Sequence, residues 1–425
     1  MRRYESRNVT FIEPDGSWPI VWDRARGARV WDAEGKRYLD LTAAFGVAAA
    51  GHANPAVIRA GRRQMGKLLH AMGDVHPHAL KARLARELSR LTFERWAERP
   101  LSGGPAPAGK TIFCNSGFEA VEAALKTAML GTGRPGIITF KDAYHGLGYG
   151  ALNATHREHF RAPFRRQLRE FGFAVPFPAD DLGHTESRFE ALFQRENIGA
   201  VLLEPIQVRG GINIPPLTLL PLIRRICDEH RALLIVDEIY TGFGRTGKWF
   251  ACEHSETVPD IICLGKALTG GFPLSACVGR ADLMDRAWPP SSGEAIHTST
   301  FLGHPVGCAM ALAQLREIEQ RMLVERSAKL GKLLMRLLAP VAGCKSGLEL
   351  RVRGLGLLAG VELRDSDGKP ATAVALEAIK TMLHRGFILL PEGEFSNVIS
   401  FTPPLTIGAT ALQSVVQALR TTLAV

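Results

Sequence analysis

The spacing of hydrophobic positions changes three times along the chain. Over 18–60, PIVWDRARGARVWDAEGKRYLDL alternates apolar and polar residues around Gly27 and Gly35, which predicts short strands joined by turns. From 61 to 95 the period becomes helical, with Leu80, Leu84, Leu88 and Leu91 on one face. A Gly/Pro-rich loop, LSGGPAPAGK, occupies 101–110. Near-continuous apolar runs then alternate with helical segments. The runs are TIFCN (111–115), GIITF (136–140), IGAVLLEPI (198–206), ALLIVDEI (232–239) and IICLG (261–265); the helices include FEAVEAALKTAML and LLPLIRRICDEH. Strands that lack alternation are buried on both faces, so this stretch predicts an α/β unit with a mainly parallel sheet between helices.

Beyond 310 the order is different: one long helix (AMALAQLREIEQRMLVERSAKLGKLLMRLL), the short strands LELRVRG and LLAGVEL, a further helix, a final strand and a terminal helix. That order predicts a separate, smaller α+β domain. The early strands have no partners of their own and are expected to join it. The expected division is 1–60 as a segment packing with the small domain, 61–314 as the large domain and 315–425 as the small domain.

Composition narrows the class. The chain has 425 residues, 46% hydrophobic and 22% charged, ample for one large core with an appendage. No run approaches the roughly 18 apolar residues of a membrane span, and no apolar stretch follows the basic start, so no membrane association and a cytoplasmic location are expected. Seven scattered cysteines without a CxxC pair argue against disulfides and against a zinc site, so no metal is expected. The formal charge is +10, yet only Arg157, Arg161, Arg165, Arg166 and Arg169 cluster. A solvated or subunit-facing surface is the expected reading of that cluster, and nucleic acid is not expected as a partner.

Two phosphate motifs on GFGRTGKW (242–249) fail on inspection. GxGxxG needs a following helix and a later acid, and KWFACEHSET offers neither. The P-loop reading fails because Trp249 stands where a metal-holding Ser or Thr is required. Four other signals combine. Ser116 and Glu119 form the pattern of a capping box after a strand, and the N–H groups of Ser116, Gly117 and Phe118 would make an anion site. Asp237 ends a buried strand with Ile239 on the same side, where a carboxylate needs a cation or hydrogen-bond donors. Lys266 follows another apolar strand with Gly265, Gly270 and Gly271 around it, the setting of an imine-forming lysine. Tyr144 in DAYHG is an aromatic available to stack on a planar ring. Phosphate cradle, acid, lysine and ring clamp are what pyridoxal 5′-phosphate requires.

On these residues the chain resembles the class III pyridoxal-phosphate aminotransferases, of the fold type I shared with aspartate aminotransferase. The likeness extends over nearly the whole chain through RGARVWDAEGKRYLDL, GHANPAV, NSGFEAVEAALK, DAYHG, EPIQ, VDEIYTGFGRTG, PDIICLGKALTGGFP, TFLGHP, VRGLGLLAGVEL and TPPLTI. The resemblance implies that Lys266 joins the cofactor aldehyde, Asp237 pairs with the protonated ring nitrogen, and Tyr144 and Ile239 cover the two ring faces. It further implies that Ser116, Gly117 and Phe118 hold the phosphate, and that Glu204 stands behind them. Thr300 would reach the phosphate of the neighbouring subunit, implying a homodimer with shared sites and leaving tetramers open.

The implied reaction is ping-pong transfer of an amino group from a primary amine or ω-amino acid to pyruvate or 2-oxoglutarate. A non-transferring class III enzyme (aminomutase, decarboxylase or amino-phosphate lyase) is the alternative. A nucleic-acid-binding protein on an inactive scaffold is a remote one. The departures concern substrate. Where 2-oxoglutarate-using relatives read EPIQGEGG this chain reads EPIQVRGG, with Arg209 replacing a glutamate, and Ser400 stands where they carry an arginine before xxPPL. The arginine of amine:pyruvate enzymes is also missing, with Leu390 in its place. Arg209 is therefore the expected contact for the acceptor carboxylate. Tyr240 replaces a glutamine of several relatives and is the other candidate substrate residue; His304 is expected to be structural.

Overall fold

A computed structural model describes residues 3–13, 18–97, 108–179, 182–345 and 347–423. Most of the 101–110 loop lies outside them. The antiparallel strands β1 (Trp22–Arg26), β2 (Arg29–Asp32) and β3 (Arg37–Asp40) open the fold. Seven strands follow in the central sheet: β4 (Gly109–Cys114), β5 (Gly136–Phe140), β6 (Gly172–Val175), β7 (Ile198–Leu203), β8 (Leu233–Asp237), β9 (Ile261–Leu264) and β10 (Ser275–Arg280). Their order is β4-β10-β9-β8-β7-β5-β6. Only β10 runs antiparallel to its neighbours β4 and β9, so the carboxyl ends of the other six share one edge.

The unbroken apolar strands serve two cores, and the two-residue period shows which side chain serves which. Val201, Leu203, Leu234 and Val236 pack with Leu219, Ile223 and Ile226 of the helix Leu219–Glu229. Ala200, Leu202, Leu233 and Ile235 face the other way, onto Ala120, Val121, Ala124 and Ala128 of the helix Gly117–Thr132. Small residues on that second helix let it lie close to the sheet, which brings its first turn to the sheet's carboxyl edge.

The remaining strands are β11 (Gly343–Lys345), β12 (Leu348–Gly354), β13 (Ala359–Asp365), β14 (Phe387–Ile388), β15 (Leu390–Glu392) and β16 (Val398–Phe401). Five form an antiparallel sheet in the order β11-β12-β13-β16-β15, while β14 pairs in parallel with β3 and so joins the N-terminal strands. Gly244 and Gly247 of GFGRTG pack against the helix Leu323–Leu338. Gly247 has φ +89° and stands where a Cβ would lie 2.9 Å from the Ala328 backbone. Arg245 beside it donates to the carbonyls of Leu357 and Pro403 at 2.9 and 2.6 Å.

The structure corrects three periodicity readings. The 61–95 helix is two, Pro55–Lys67 and Ala79–Ser89, because Gly73 and Pro77 interrupt it. The long helix after 310 breaks at Met322, which has φ +48°, into Pro305–Gln320 and Leu323–Leu338. The expected 314/315 boundary falls inside the first of these. Strands β6 and β10 were not expected: one is four residues long and the other mixes polar with apolar positions.

Candidate active site

A cavity of about 430 Å³ opens at the carboxyl edge of the central sheet. Each wall comes from the residues just after a strand: Gly117 and Phe118 after β4, Tyr144 and His145 after β5, Glu204 and Arg209 after β7, Asp237, Ile239 and Tyr240 at and after β8, and Lys266 after β9. The loops of open α/β sheets bind ligands at this edge.

Lys266 has φ +43°, an unfavourable backbone for a side chain with a Cβ, and follows the extended Gly265. Its Nζ lies 4.7 Å from the centroid of the Tyr240 ring. Burial holds the amine below the usual lysine range, against the opposing charges of Asp237 and Glu204. Tyr240 is buried, and its hydroxyl lies 3.3 Å from Thr402 Oγ1.

Asp237 is 5% exposed. One carboxylate oxygen accepts the Ile239 N–H at 3.1 Å, and the other lies 2.8 Å from His145 Nδ1. An ionised carboxylate makes that ring nitrogen the donor. His145 Nε2 is then left buried with no hydrogen-bond partner among the described residues. Glu204 accepts the Tyr144 N–H at 2.9 Å and thereby fixes the ring beside the cavity. Burial raises its pKa to about 7, with the Asp237 charge adding and His145 opposing.

The capping box forms only in part. Glu119 accepts the backbone N–H of Asn115 at 2.8 Å instead of that of Ser116. The Ser116 hydroxyl makes no cap and is buried without a partner among the described residues, although the Ser116 carbonyl accepts the Ser275 hydroxyl at 2.6 Å. A Cβ at Gly117 would lie 3.0 Å from Ile239 Cδ1, so glycine is what fits between helix and loop. An orphaned hydroxyl beside the unpaired N–H groups of a helix start is a match for a phosphate.

Arg209, the expected contact for the acceptor carboxylate, lines the cavity and already has a counter-charge. Its guanidinium lies 3.2 Å from Glu392, at the end of β15, whose carboxylate is almost wholly buried. It also sits 5.7 Å from the Tyr144 ring and 5.9 Å from that of Phe45. Ser400, the other altered position, donates to the Leu390 carbonyl at 3.0 Å. Thr300 is exposed and does not line the cavity. The arginine cluster is partly neutralised: Arg165 pairs with Glu158 at 2.7 Å, and Arg161 is buried. No helix among the described residues is long and apolar enough to cross a membrane.

The comparisons agree with this geometry. A family model described as aminotransferase class-III matches residues 12–423. The chain is 38% identical over 352 residues to the acetylornithine aminotransferase of Methanopyrus kandleri, with 82% of each chain covered. It is 35% identical over 402 residues to a 5-aminovalerate aminotransferase of Pseudomonas aeruginosa, covering 92% of this chain and 90% of that one. Among solved structures, a PLP-bound amine transaminase from an uncultivated Pseudomonas species superposes with a TM-score of 0.88 at 27% identity, covering 99% of this chain and 98% of the other. The chain belongs to the class III aminotransferases, enzymes of fold type I that depend on pyridoxal phosphate. The cavity fits that cofactor: Asp237 and Lys266 line it together with Gly117 and Phe118 of the helix start, and the orphaned Ser116 hydroxyl stands next to Gly117 in the chain.

Two participants escaped the sequence reading. His145 stood in the quoted DAYHG motif, adjacent to Tyr144, and only the fold shows it against Asp237. Glu392 carries no local signal, because LLPEGEF reads as an ordinary strand end.

Proposed function

We propose that this enzyme moves an amino group from a primary amine or ω-amino acid to pyruvate or 2-oxoglutarate, working as a homodimer. The observation that carries the reading is the convergence of Lys266, Asp237 and the helix start at Gly117 and Phe118 on one cavity, with the orphaned Ser116 hydroxyl next to Gly117 in the chain. The names of the relatives support the ω class, since 5-aminovalerate carries its amine at the far end from its acid. Pyridoxal phosphate, when bound, supplies an aldehyde that joins amines and a ring that takes up the electrons of a carbanion. The chain's own residues do the rest. Lys266, held below the usual lysine range, is the base that takes the proton from the donor carbon and returns it elsewhere. Asp237, oriented by His145 and the Ile239 N–H, keeps a proton on the ring nitrogen facing it. Ser116, Gly117 and Phe118 hold the phosphate, Tyr144 and Ile239 clamp the ring, and Glu204 locks Tyr144 through its N–H. Arg209 meets the acceptor carboxylate, Tyr240 bounds the substrate space beside Lys266, and Thr300 acts on the partner's phosphate.

Lys266→Ala tests the reading: turnover should vanish while the fold survives. Retained turnover would place the base elsewhere. Arg209→Ala should raise the keto-acid KM more than it slows the half-reaction with a simple amine, and equal losses in both count against its role.

A further inference from the structure

A second cavity, of about 760 Å³, lies between the N-terminal strands and the terminal helix Ala409–Leu423, and it shares no lining residue with the active-site cavity. The two-residue period of β2 and β3 decides what faces it. Arg29 and Arg37 alternate with Val30 and Tyr38, which are buried on the other side with Leu383 and Ile388. The acids of these strands go with the buried set: Asp32 accepts the Tyr38 hydroxyl at 2.8 Å, and Asp40 lies 2.7 Å from His52 Nε2. Arg26 of β1 stands directly opposite Arg29 in the antiparallel register. Arg385 joins them from the segment before β14, its guanidinium donating to the Ala418 carbonyl and the Thr422 hydroxyl at 3.0 Å each. Four arginines thus line the cavity, and among the described residues no carboxylate does. Arg26, Arg29 and Arg37 are exposed and make no ion pair among the described residues. The facing wall is the start of the terminal helix, with Thr410 and Ser414 and the first-turn N–H groups that a helix leaves without internal partners.

Like charges directly across a strand pair repel, and the lining supplies no acid to relieve them. Guanidinium forks match phosphate oxygens two at a time, and the volume falls within the range of small-molecule sites. We propose that this cavity binds a small anion carrying two or more phosphates, with Arg26, Arg29 and Arg37 as its charged contacts and the start of the terminal helix as its polar wall. A single phosphate neutralises too little of this charge to occupy all three arginines. A nucleic-acid strand fits less well, because the charge is gathered in one concave space between sheet and helix instead of being laid along a track. The site stands apart from the reaction, since none of its residues belongs to the cofactor or substrate set. Spacing along the chain conceals it: Arg385 is brought to the N-terminal strands by the pairing of β14 with β3.

The test uses the purified holoenzyme, with pyridoxal phosphate bound so that the cradle at Ser116 is taken, in magnesium-free buffer. Calorimetry with tripolyphosphate should show one site per chain that weakens as salt is raised. Inorganic phosphate should bind at least about tenfold more weakly. Arg29→Gln should weaken tripolyphosphate about tenfold, the loss of one charge-assisted contact, and Arg29→Lys should recover part of it. Arg165→Gln, in the other arginine cluster, should change nothing. Thermal unfolding gives a second readout. Without ligand, Arg29→Gln should be at least as stable as the wild type, because a like-charge pair is relieved, whereas tripolyphosphate should raise the unfolding temperature of the wild type more than that of the variant. ATP separates the sources: binding as tight as that of tripolyphosphate assigns the cavity to the phosphate tail of a nucleotide, and weaker binding assigns it to an inorganic chain. Absence of tripolyphosphate binding, or an affinity unchanged in Arg29→Gln, overturns the site. So does an Arg29-dependent affinity for single-stranded RNA without one for tripolyphosphate.

Discussion

Replacing Asp237 by Asn changes one atom and removes one charge. The carboxylate is 5% exposed and already accepts the Ile239 N–H at 3.1 Å and the His145 Nδ1 proton at 2.8 Å. Neither contact brings a fixed positive charge, so in the account above the ring nitrogen's proton is what offsets the buried anion. An amide of the same shape keeps the packing and loses the charge-assisted hydrogen bond, worth about 1.5–3 kcal/mol. Cofactor affinity should therefore fall roughly tenfold to a hundredfold. Proton abstraction should suffer more, on the order of a thousandfold, because the charge developing in the ring is no longer stabilised. The amide also has a hydrogen to donate where His145 now donates, which pushes the imidazole proton to Nε2, a buried atom with no partner among the described residues. Cofactor retention on dialysis, followed by absorbance, and the single-turnover rate with a reactive amine measure the two effects separately. Wild-type values of both in Asp237→Asn would refute the assignment of Asp237 to the ring nitrogen.

Other outcomes follow from the packing and the buried acids. Glu238 is fully buried, and burial lifts its pKa from the ordinary 4.5 to about 7, against the hydrogen bonds from Thr241 and the backbone. The native state therefore keeps a proton that the unfolded chain loses in that window. Stability should fall by roughly 3 kcal/mol as pH rises through it, and Glu238→Gln should remove that part of the slope in thermal unfolding at a series of pH values. Glu392 faces Arg209, Arg157, Lys266 and Tyr240, and burial also raises it to about 7. Its protonation below neutrality should release Arg209, so the keto-acid KM should fall on the acid side, with the dependence flattened in Glu392→Gln. At Gly331 a Cβ would lie 2.3 Å from the Gly356 carbonyl oxygen, so Gly331→Ala should cost at least about 1–3 kcal/mol by chemical denaturation.

Much of the sheet was legible because its strands are buried on both faces and therefore read as apolar runs with short helical spacers. The turn at 68–78 and the break at Met322 were not, since helical periodicity carries across an interruption that only packing reveals. Lys266, Asp237 and Tyr144 stood out for a physical reason: chemistry at the carboxyl end of a buried strand is costly and must be partnered. His145 and Glu392 did not stand out. Their meaning lies in contacts between loops from different strands, Asp237 with His145 and Arg209 with Glu392, and spacing along the chain does not encode such pairings. The changed position at Arg209 was visible in the sequence, but its buried partner was not.

The most direct test of the account is the visible absorbance of the purified protein, alone and then with a panel of amines followed by keto acids. The protein should be yellow, with a band that bleaches with particular donors, 5-aminopentanoate among them, and returns with pyruvate or 2-oxoglutarate. A yellow band that no amine bleaches would contradict amino transfer and favour a lyase, decarboxylase or mutase. A colourless protein that takes up no pyridoxal phosphate would contradict the site itself.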